Sequence, residues 1–369
     1  MSEFEEGEIM EIVDGSLGSI NSSRGSDVDS KGYRILSVYS HKGGVGKTTM
    51  VDVIASAVHC DRPRIDEQLK FKKCLMIDLD TQMNLTQKIL GDEDRFQAYI
   101  DGLVDSNDLA NNRGNPDIKT KLTRLLDYDT RNDVNVNPME VSGVNGLRGR
   151  CVHLIPGFPE LREICKHMSI ELTDAAGGQS YVKSLRHLID EYVKVHHYDL
   201  VILDLGPDLY TMNACALWSS DFVLIPCTAD MYSAMSFRLI ANEIFPPQLA
   251  QGVQQDLSHP YYRYHSRLKI LGFLPNRVKT QNCNPTHKQA VGINRLGEKF
   301  LAHLRHYFQG VERFEEGPGT HPCIINLIGS DIIGNESDSL VDLQITEPFA
   351  RERLKHQLEK LIRWLNVVL

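Results

Sequence analysis

The chain has 369 residues, of which 41% are hydrophobic and 24% charged, and its formal net charge is −9. This is the composition of a globular protein, and the chain is long enough for one large α/β domain or two small ones. The negative net charge argues against nucleic acid covering the whole surface but does not exclude a local basic face. The eight cysteines form no C-x-x-C pair, no apolar leader opens the chain, and no apolar run reaches the roughly 20 residues of a membrane span. We therefore expect reduced thiols and a cytoplasmic protein.

The first segment, residues 1–31, is acidic at its start and then rich in Ser and Gly. Such a composition cannot bury a core. We predict a disordered acidic tail over 1–31, followed by a single folded domain over 32–369.

A glycine-rich loop follows the first predicted strand, residues 34–40, and precedes a predicted helix, residues 50–58. Its glycines let backbone N–H groups turn inward around an anion, and the helix adds its positive N-terminal end. Lys47 is placed to reach the terminal phosphates of a nucleotide, and the Thr48 hydroxyl to ligate Mg²⁺. The predicted nucleotide-binding residues are Gly43, Gly44, Val45, Gly46, Lys47, Thr48 and Thr49.

A second lysine, Lys42, opens the same loop. The run K-G-G-V-G-K-T-T resembles the deviant Walker A box of the ParA/MinD/Soj family of ATPases. The resemblance implies ATP and Mg²⁺ as ligands and a homodimer in the ATP state, in which Lys42 crosses to the partner's nucleotide. Positive charge placed where the leaving oxygen becomes negative is what phosphoryl transfer requires. The alternative is a solvated lysine beside a glycine turn.

The second predicted strand, residues 74–80, ends in two carboxylates, Asp78 and Asp80. With the following T-Q-M-N it is similar to the family's D-x-D-P-Q-x-N box, although Thr81 replaces the proline. By that resemblance Asp80 orients the attacking water, so that Lys42, Lys47 and Asp80 are the catalytic residues, and Asp78 supports the Mg²⁺ shell. The alternative is a pair of turn-forming aspartates.

Residues 91–150 form a weakly patterned excursion around one predicted helix, 118–126. We predict a helical insertion that serves a specific partner. A strand at 151–157 and helices at 159–168 and 181–195 are expected to follow.

The third predicted strand in the site lies in residues 198–207. Its run L-V-I-L is fully apolar and ends at Asp204, at the carboxyl end of the strand, where ligands bind in parallel sheets. It resembles the family's Walker B strand, with Asp204 holding the Mg²⁺ hydration shell. The cysteines match the iron–sulfur branch of the family poorly, so we do not expect electron transfer.

Strands at 222–226 and 268–274, with a helix at 234–245 between them, complete the pattern. Strands that alternate with helices specify an α/β fold with right-handed crossovers. We predict a P-loop NTPase with a mostly parallel, twisted sheet between two helical layers. Asn276 follows the last strand and is equally compatible with reading the adenine edge and with forming a turn.

Two late helices carry basic residues. The helix at 285–308 carries Lys288, Arg295 and Lys299, and the final helix at 348–369 carries Arg351, Arg353, Lys355, Lys360 and Arg363. By resemblance to the partition branch they would contact nonspecific DNA. The final helix also fits a membrane-targeting helix or the last core helix, and the core helix is favoured because Glu352 and Glu359 interrupt its basic face.

Taken together, these features predict a ParA-type ATPase that acts in plasmid or chromosome partition with nonspecific DNA and a ParB-like partner, and that would then be nucleoid-associated. The alternatives are an ATP-switched scaffold that recruits a protein through residues 91–150 and a MinD-like positioning ATPase, although we do not expect membrane binding. A basic surface would favour partition, and a large apolar patch on the insertion would favour recruitment.

Overall fold

The computed structural model describes residues 32–58, 68–91, 93–105, 139–140, 151–159, 161–162, 165, 178–208, 211–245, 266–278, 280–281, 284–304, 359, 361–363, 365–366 and 369. All of these except Gly32 belong to one compact unit, Tyr33–Leu369. The predicted acidic tail and the predicted helix at 118–126 lie outside the described residues.

Nine strands are found in this part of the chain. They are β1 (Arg34–Val38), β2 (Cys74–Asp78), β3 (Met139–Glu140), β4 (Val152–Ile155), β5 (Leu200–Asp204), β6 (Phe222–Cys227), β7 (Lys269–Pro275), β8 (Thr280–Gln281) and β9 (Asn284–Pro285). The last two pair with each other in a small antiparallel hairpin.

The other seven strands form one sheet in the order β3-β4-β2-β5-β1-β6-β7. Six of them run parallel, and the two-residue β3 pairs antiparallel with β4 at the edge. Every residue of β2, β5 and β6 is buried. Such continuous apolar runs are typical of strands covered on both faces, so the predicted mostly parallel sheet is confirmed.

The helices with complete bounds are α1 (Lys47–Ser56), α2 (Asn84–Leu90), α3 (Glu93–Asp105), α4 (Gly178–His196), α5 (Thr211–Ser219), α6 (Met231–Glu243) and α7 (His287–Leu304). Residues 359, 361–363 and 365–366 are also helical. No helix within the described ranges is long and apolar enough to cross a bilayer.

Two apolar cores cover the two faces of the sheet. One packs side chains of α4, α5, α6 and α7 against it, and the other packs side chains of α1, α2 and the C-terminal helical residues. Leu361, Ile362 and Leu365 are at most 1% exposed in the second core. In its described part the final helix is therefore a core helix, which is the favoured of the three interpretations.

Candidate nucleotide site

The phosphate loop connects the carboxyl end of β1 to the first turn of α1. Gly44 and Gly46 have φ values of 67° and 90°, in the left-handed region that favours glycine. A Cβ on Gly46 would lie 2.4 Å from Asn276 Nδ2, so a larger residue does not fit there. Gly46 is also the N-cap of α1, with no side-chain cap and no acidic residue in the first turn. The first N–H groups of α1 are therefore available to an anion.

Lys47 lies at the start of α1 and is only 7% exposed. Its ammonium donates a hydrogen bond to the Lys42 carbonyl at 3.3 Å. Burial lowers the pKa of Lys47, and the nearby carboxylates of Asp204, Asp80 and Asp208 act in the opposite direction. The lysine predicted to bind phosphate thus lies among the predicted acidic residues of the site.

The carboxylates come from β5 and from β2 and the turn after it, and these strands are hydrogen-bonded neighbours. Asp78 and Asp204 are directly opposite each other in the parallel register. Parallel strands present their carboxyl ends at one edge of the sheet, which is why residues 126 positions apart in the chain meet there. Gly206 follows β5, and a Cβ on it would lie 3.2 Å from Asp80 Oδ1. Asp80 therefore lies at the same edge.

Asp78 and Asp80 hold the loop between β2 and α2. Asp78 Oδ2 accepts hydrogen bonds from the Thr86 N–H at 2.8 Å and the Thr86 hydroxyl at 2.6 Å, and Asp78 Oδ1 accepts one from the Asp80 N–H at 3.1 Å. Asp80 accepts hydrogen bonds from the Gln82 N–H at 3.0 Å and from the Asn84 amide at 2.8 Å. Burial raises the pKa of Asp78 to about 6, although the Thr86 hydrogen bonds act to lower it. These contacts fix the predicted water-orienting carboxylate relative to α2.

Asp204 differs from the other two carboxylates. It is fully buried, and neither of its oxygens receives a hydrogen bond of good geometry from the described residues, although the Thr48 hydroxyl lies close to it. Burial raises its pKa well above the ordinary range, Asp78 and Asp80 raise it further, and the neighbouring Thr48 hydroxyl and Lys47 ammonium lower it. An unpartnered buried carboxylate is costly unless a cation or a donor compensates it.

The residues around Asp204 fit Mg²⁺. Across the described ranges no group of three or more His, Cys, Asp or Glu side chains could hold a metal alone. Mg²⁺ does not need such a group, because it keeps several waters and is usually held by one or two carboxylates together with nucleotide phosphates. The Asp204 carboxylate and the Thr48 hydroxyl provide two oxygen atoms that could bind Mg²⁺ or its waters beside the phosphate loop. Asp78 lies next to them, with both of its oxygens already hydrogen-bonded.

Lys42 is bound by its own chain. Its ammonium donates a 2.7 Å hydrogen bond to the Thr228 hydroxyl and forms an ion pair with Asp230, in the connection between β6 and α6. Burial acts to raise the pKa of Asp230, but hydrogen bonds from Lys42, Thr228 and the Ser233 N–H outweigh it, and the pKa is lowered. The Lys42 and Asp230 side chains remain 32% and 35% exposed. The lysine is therefore neither buried nor freely solvated.

Asn276 contacts the backbone of the phosphate loop. Its amide donates a 2.9 Å hydrogen bond to the Val45 carbonyl, its side-chain oxygen accepts one from the Arg277 N–H at 2.9 Å, and it is 2% exposed. These contacts support the backbone of the loop. Contact of Asn276 with adenine stays a prediction.

Three residues of the site were missed by the sequence reasoning. Asp230 caps α6 by accepting a hydrogen bond from the Ser233 N–H at 3.0 Å, and together with Thr228 it follows β6 at the same edge of the sheet. That position after a parallel strand was the available signal. The third, Asp208, follows β5 and is fixed by Asn213, whose amide donates to its carboxylate at 2.9 Å and to its carbonyl at 2.8 Å.

Comparison with known proteins identifies the family. The family model AAA_31, described as an AAA domain, matches residues 33–257. Among curated proteins, an uncharacterized protein of Methanocaldococcus jannaschii is 24% identical over 68% of this chain and 76% of its own length. The sporulation initiation inhibitor protein Soj of Bacillus subtilis is 24% identical over 57% of this chain and 64% of its own length.

Solved structures share the fold at low sequence identity. Apo McdA of Cyanothece has a TM-score of 0.54 and 17% identity, and the match covers 89% of this chain and 99% of McdA. The pNOB8 ParA bound to nonspecific DNA has a TM-score of 0.53 and 20% identity, with 91% and 99% coverage. At these identities the likeness establishes the P-loop NTPase fold, and the family match establishes the kind of protein. The chain belongs to the AAA_31 family and is a member of the ParA/MinD group of ATPases, which bind and hydrolyse ATP.

Proposed function

We propose that this chain is an Mg²⁺-dependent ATP switch that forms a sandwich dimer with ATP, binds nonspecific DNA as a dimer and is released by slow hydrolysis, with a ParB-like partner stimulating the release. In this proposal ATP phosphates occupy the loop around Gly46 and Lys47. Thr48 and Asp204 hold Mg²⁺, with Asp78 beside them. Asp80 orients the attacking water.

The single observation that carries the proposal is the state of Lys42. Its ammonium is held by one part-exposed ion pair and one hydrogen bond to its own chain. Exposed ion pairs contribute only about 0–1 kcal/mol, so a stronger demand for positive charge can draw the lysine away. A partner's nucleotide supplies such a demand, since phosphoryl transfer builds negative charge at the phosphates.

The surface next to Lys42 supports a second copy as the partner. Met231, Tyr232 and Met235 are 62%, 74% and 60% exposed at the start of α6, directly after Asp230. A two-fold interface must be self-complementary, and an apolar group meets that condition because it can pack against its own copy across the axis. Covering this apolar group in the dimer would also remove it from water.

A basic stripe on α7 supports DNA as a ligand. The stripe consists of Lys288, Arg295 and Lys299, which are exposed and recur on one helical face. At its carboxyl end the stripe gains a neighbouring cation: burial lowers the pKa of His303, and the nearby charges of Lys299 and Arg238 lower it further. The pNOB8 ParA, which shares the fold, was solved bound to nonspecific DNA. Of the basic residues predicted on the final helix, Arg363 is described and pairs with Glu359 at 3.8 Å, and the others lie outside the described residues.

Recruitment of a protein through the insertion is the alternative function. The described part of the insertion is Gly91, α3 and β3. Where side chains are described there, none is a large exposed apolar residue. The observation that would have favoured recruitment is therefore not found in those residues.

Fluorescence anisotropy with labelled duplex DNA tests the proposal. We expect binding only with Mg²⁺ and a nonhydrolysed ATP analogue, and the logarithm of affinity should fall by about 0.9 per phosphate contact for each tenfold rise in salt. Replacing Lys288, Arg295 and Lys299 with Glu should abolish DNA binding without changing ATP-driven dimerisation. Lys194→Glu, on α4, is the matched control for an exposed charge reversal. Absence of ATP-dependent DNA binding at low salt would contradict partition and favour recruitment.

A further inference from the structure

A buried ion pair connects α1 to α2. Asp52 of α1 is 1% exposed, and its Oδ2 lies 3.3 Å from Nζ of Lys88 of α2, whose side chain is 18% exposed. Neither Asp52 oxygen has a hydrogen bond of good geometry from the described residues, so Lys88 is the charge that compensates it there. Burial raises the pKa of Asp52, and Lys88 acts to lower it.

Stability alone does not explain such a pair. Removing two charges from water costs several kcal/mol per ion, and apolar residues of similar volume often serve a fold equally well. The two helices are in any case held by apolar contacts, because Leu85 and Ile89 of α2 lie in the same core as Met50 and Ile54 of α1. The pair therefore adds a fixed register between the helices.

The register matters because of what each helix carries. α1 begins with Lys47 and Thr48, and Asp52 lies one turn after Thr48. α2 begins with Asn84, whose amide holds Asp80, and Lys88 lies one turn after Asn84. The pair thus joins the helix that binds phosphate to the helix that holds the water-orienting carboxylate, one turn behind each functional end.

We propose that Asp52 and Lys88 are positioning residues that fix the position of Asp80 relative to the bound phosphates. Through this ion pair, nucleotide binding in the phosphate loop also restrains α2. This inference rests on the proposed ATP hydrolysis. Thr86 gives α2 a second attachment, since its hydroxyl donates to Asp78 and accepts from the Gly157 N–H at 2.8 Å. Loss of the ion pair should therefore loosen the register of α2 without detaching it.

The test removes both charges together. The double variant Asp52→Asn, Lys88→Met avoids leaving one charge buried and unpaired. The control is Arg186→Met, Asp221→Asn, which removes an ion pair of 3.6 Å with side chains 20% and 9% exposed. It is the harsher change, because Arg186 also pairs with Asp190 and donates hydrogen bonds to the Ser219 carbonyl and the Tyr33 hydroxyl. Asp221 precedes β6 at the amino end of the sheet, opposite the nucleotide site. Both doubles lose a buried pair, but only the first loses it between α1 and α2.

We expect kcat for ATP hydrolysis to fall about 10- to 100-fold in the Asp52, Lys88 double variant, because a small misplacement of a catalytic group has that effect. Nucleotide affinity should stay within about twofold, since the phosphate loop is intact. The control should keep kcat at any temperature at which it is folded. The single variant Lys88→Arg keeps the positive charge beside Asp52 and should therefore keep most of the wild-type kcat.

Amide hydrogen exchange gives a readout independent of turnover. Binding of ADP should slow exchange over residues 84–90 in the wild type and in the control, but not in the Asp52, Lys88 double variant. Equal protection of α2 in all three proteins, or an unchanged kcat in the Asp52, Lys88 double variant, would overturn the inference while leaving the proposed ATPase intact. A wild type that binds nucleotide without hydrolysing it would contradict the proposed function, and the inference would then fail with it.

Discussion

The ion pair between Lys42 and Asp230 leads to a quantitative prediction for dimerisation. If Lys42 must leave its own chain to reach the partner's nucleotide, then Asp230→Asn should strengthen the ATP-dependent dimer. Asparagine is as good an N-cap as aspartate, so the start of α6 should stay intact. Because the pKa of Asp230 is lowered, the pair is present above the ordinary carboxyl range and is lost only as the pH falls below it, so the effect should not vary near neutral pH.

The size of the effect follows from the exposure of the pair. Side chains 32% and 35% exposed form an ion pair worth about 0.2–1 kcal/mol. A symmetric dimer releases two such lysines, so the gain is about 0.4–2 kcal/mol. That corresponds to a dimer dissociation constant lower by a factor of about 2 to 30.

Sedimentation equilibrium with Mg²⁺ and a nonhydrolysed ATP analogue measures this constant. Glu191→Gln is the control, because it removes another part-exposed ion pair, with Lys194 at 3.1 Å on α4. We expect tighter dimers for Asp230→Asn and unchanged dimers for Glu191→Gln. If Asp230→Asn dimerises no more tightly than the wild type, Lys42 is not restrained by Asp230.

The remaining predictions concern the nucleotide site itself. Lys47→Ala should abolish nucleotide binding, whereas Lys42→Ala should leave one nucleotide per protomer and lower hydrolysis. Equal loss of affinity in an equilibrium binding assay would defeat that distinction. Asp80→Ala should remain an ATP-bound dimer on sizing chromatography, because the water-orienting group is lost while the phosphate loop is kept, and a monomer in excess ATP would assign Asp80 to assembly. Thr86→Val should destabilise the nucleotide-free protein by about 1–3 kcal/mol in denaturant unfolding, since it leaves the buried Asp78 carboxylate and the Gly157 N–H each short of a hydrogen bond. Burial already raises the pKa of Asp78 to about 6, and loss of the Thr86 hydroxyl should raise it further. The variant therefore gains more stability than the wild type on protonation of Asp78, and its destabilisation should shrink as the pH falls from 7 toward 4. A difference in unfolding free energy that does not vary with pH would contradict this prediction.

The sheet and the family could be predicted from the sequence because their signals are local. Continuous apolar runs in β2, β5 and β6 specify strands buried on both faces, and the glycine loop needs only neighbouring residues to be recognised. The helix at residues 181–195 was predicted from its apolar face, and Leu185, Leu188 and Ile189 are indeed buried.

The contacts that depend on tertiary packing could not be predicted in the same way. Lys42 and Asp230 are 188 residues apart, and Asn276 reaches Val45 across 231 residues. No local pattern reveals such pairs, because they arise from the order in which strands assemble at one edge of the sheet. The sequence indicated that Lys42 was special, and the fold shows which group holds it.

The ATP-driven dimer switch is tested most directly by measuring the molar mass of the wild-type protein and its release of phosphate in parallel. After addition of ATP and Mg²⁺, light scattering should report a dimer that persists while ATP remains and returns to the monomer mass as phosphate release ends. With ADP the mass should stay that of the monomer throughout. The same mass with ATP, with ADP and without nucleotide would contradict an ATP-driven dimer switch.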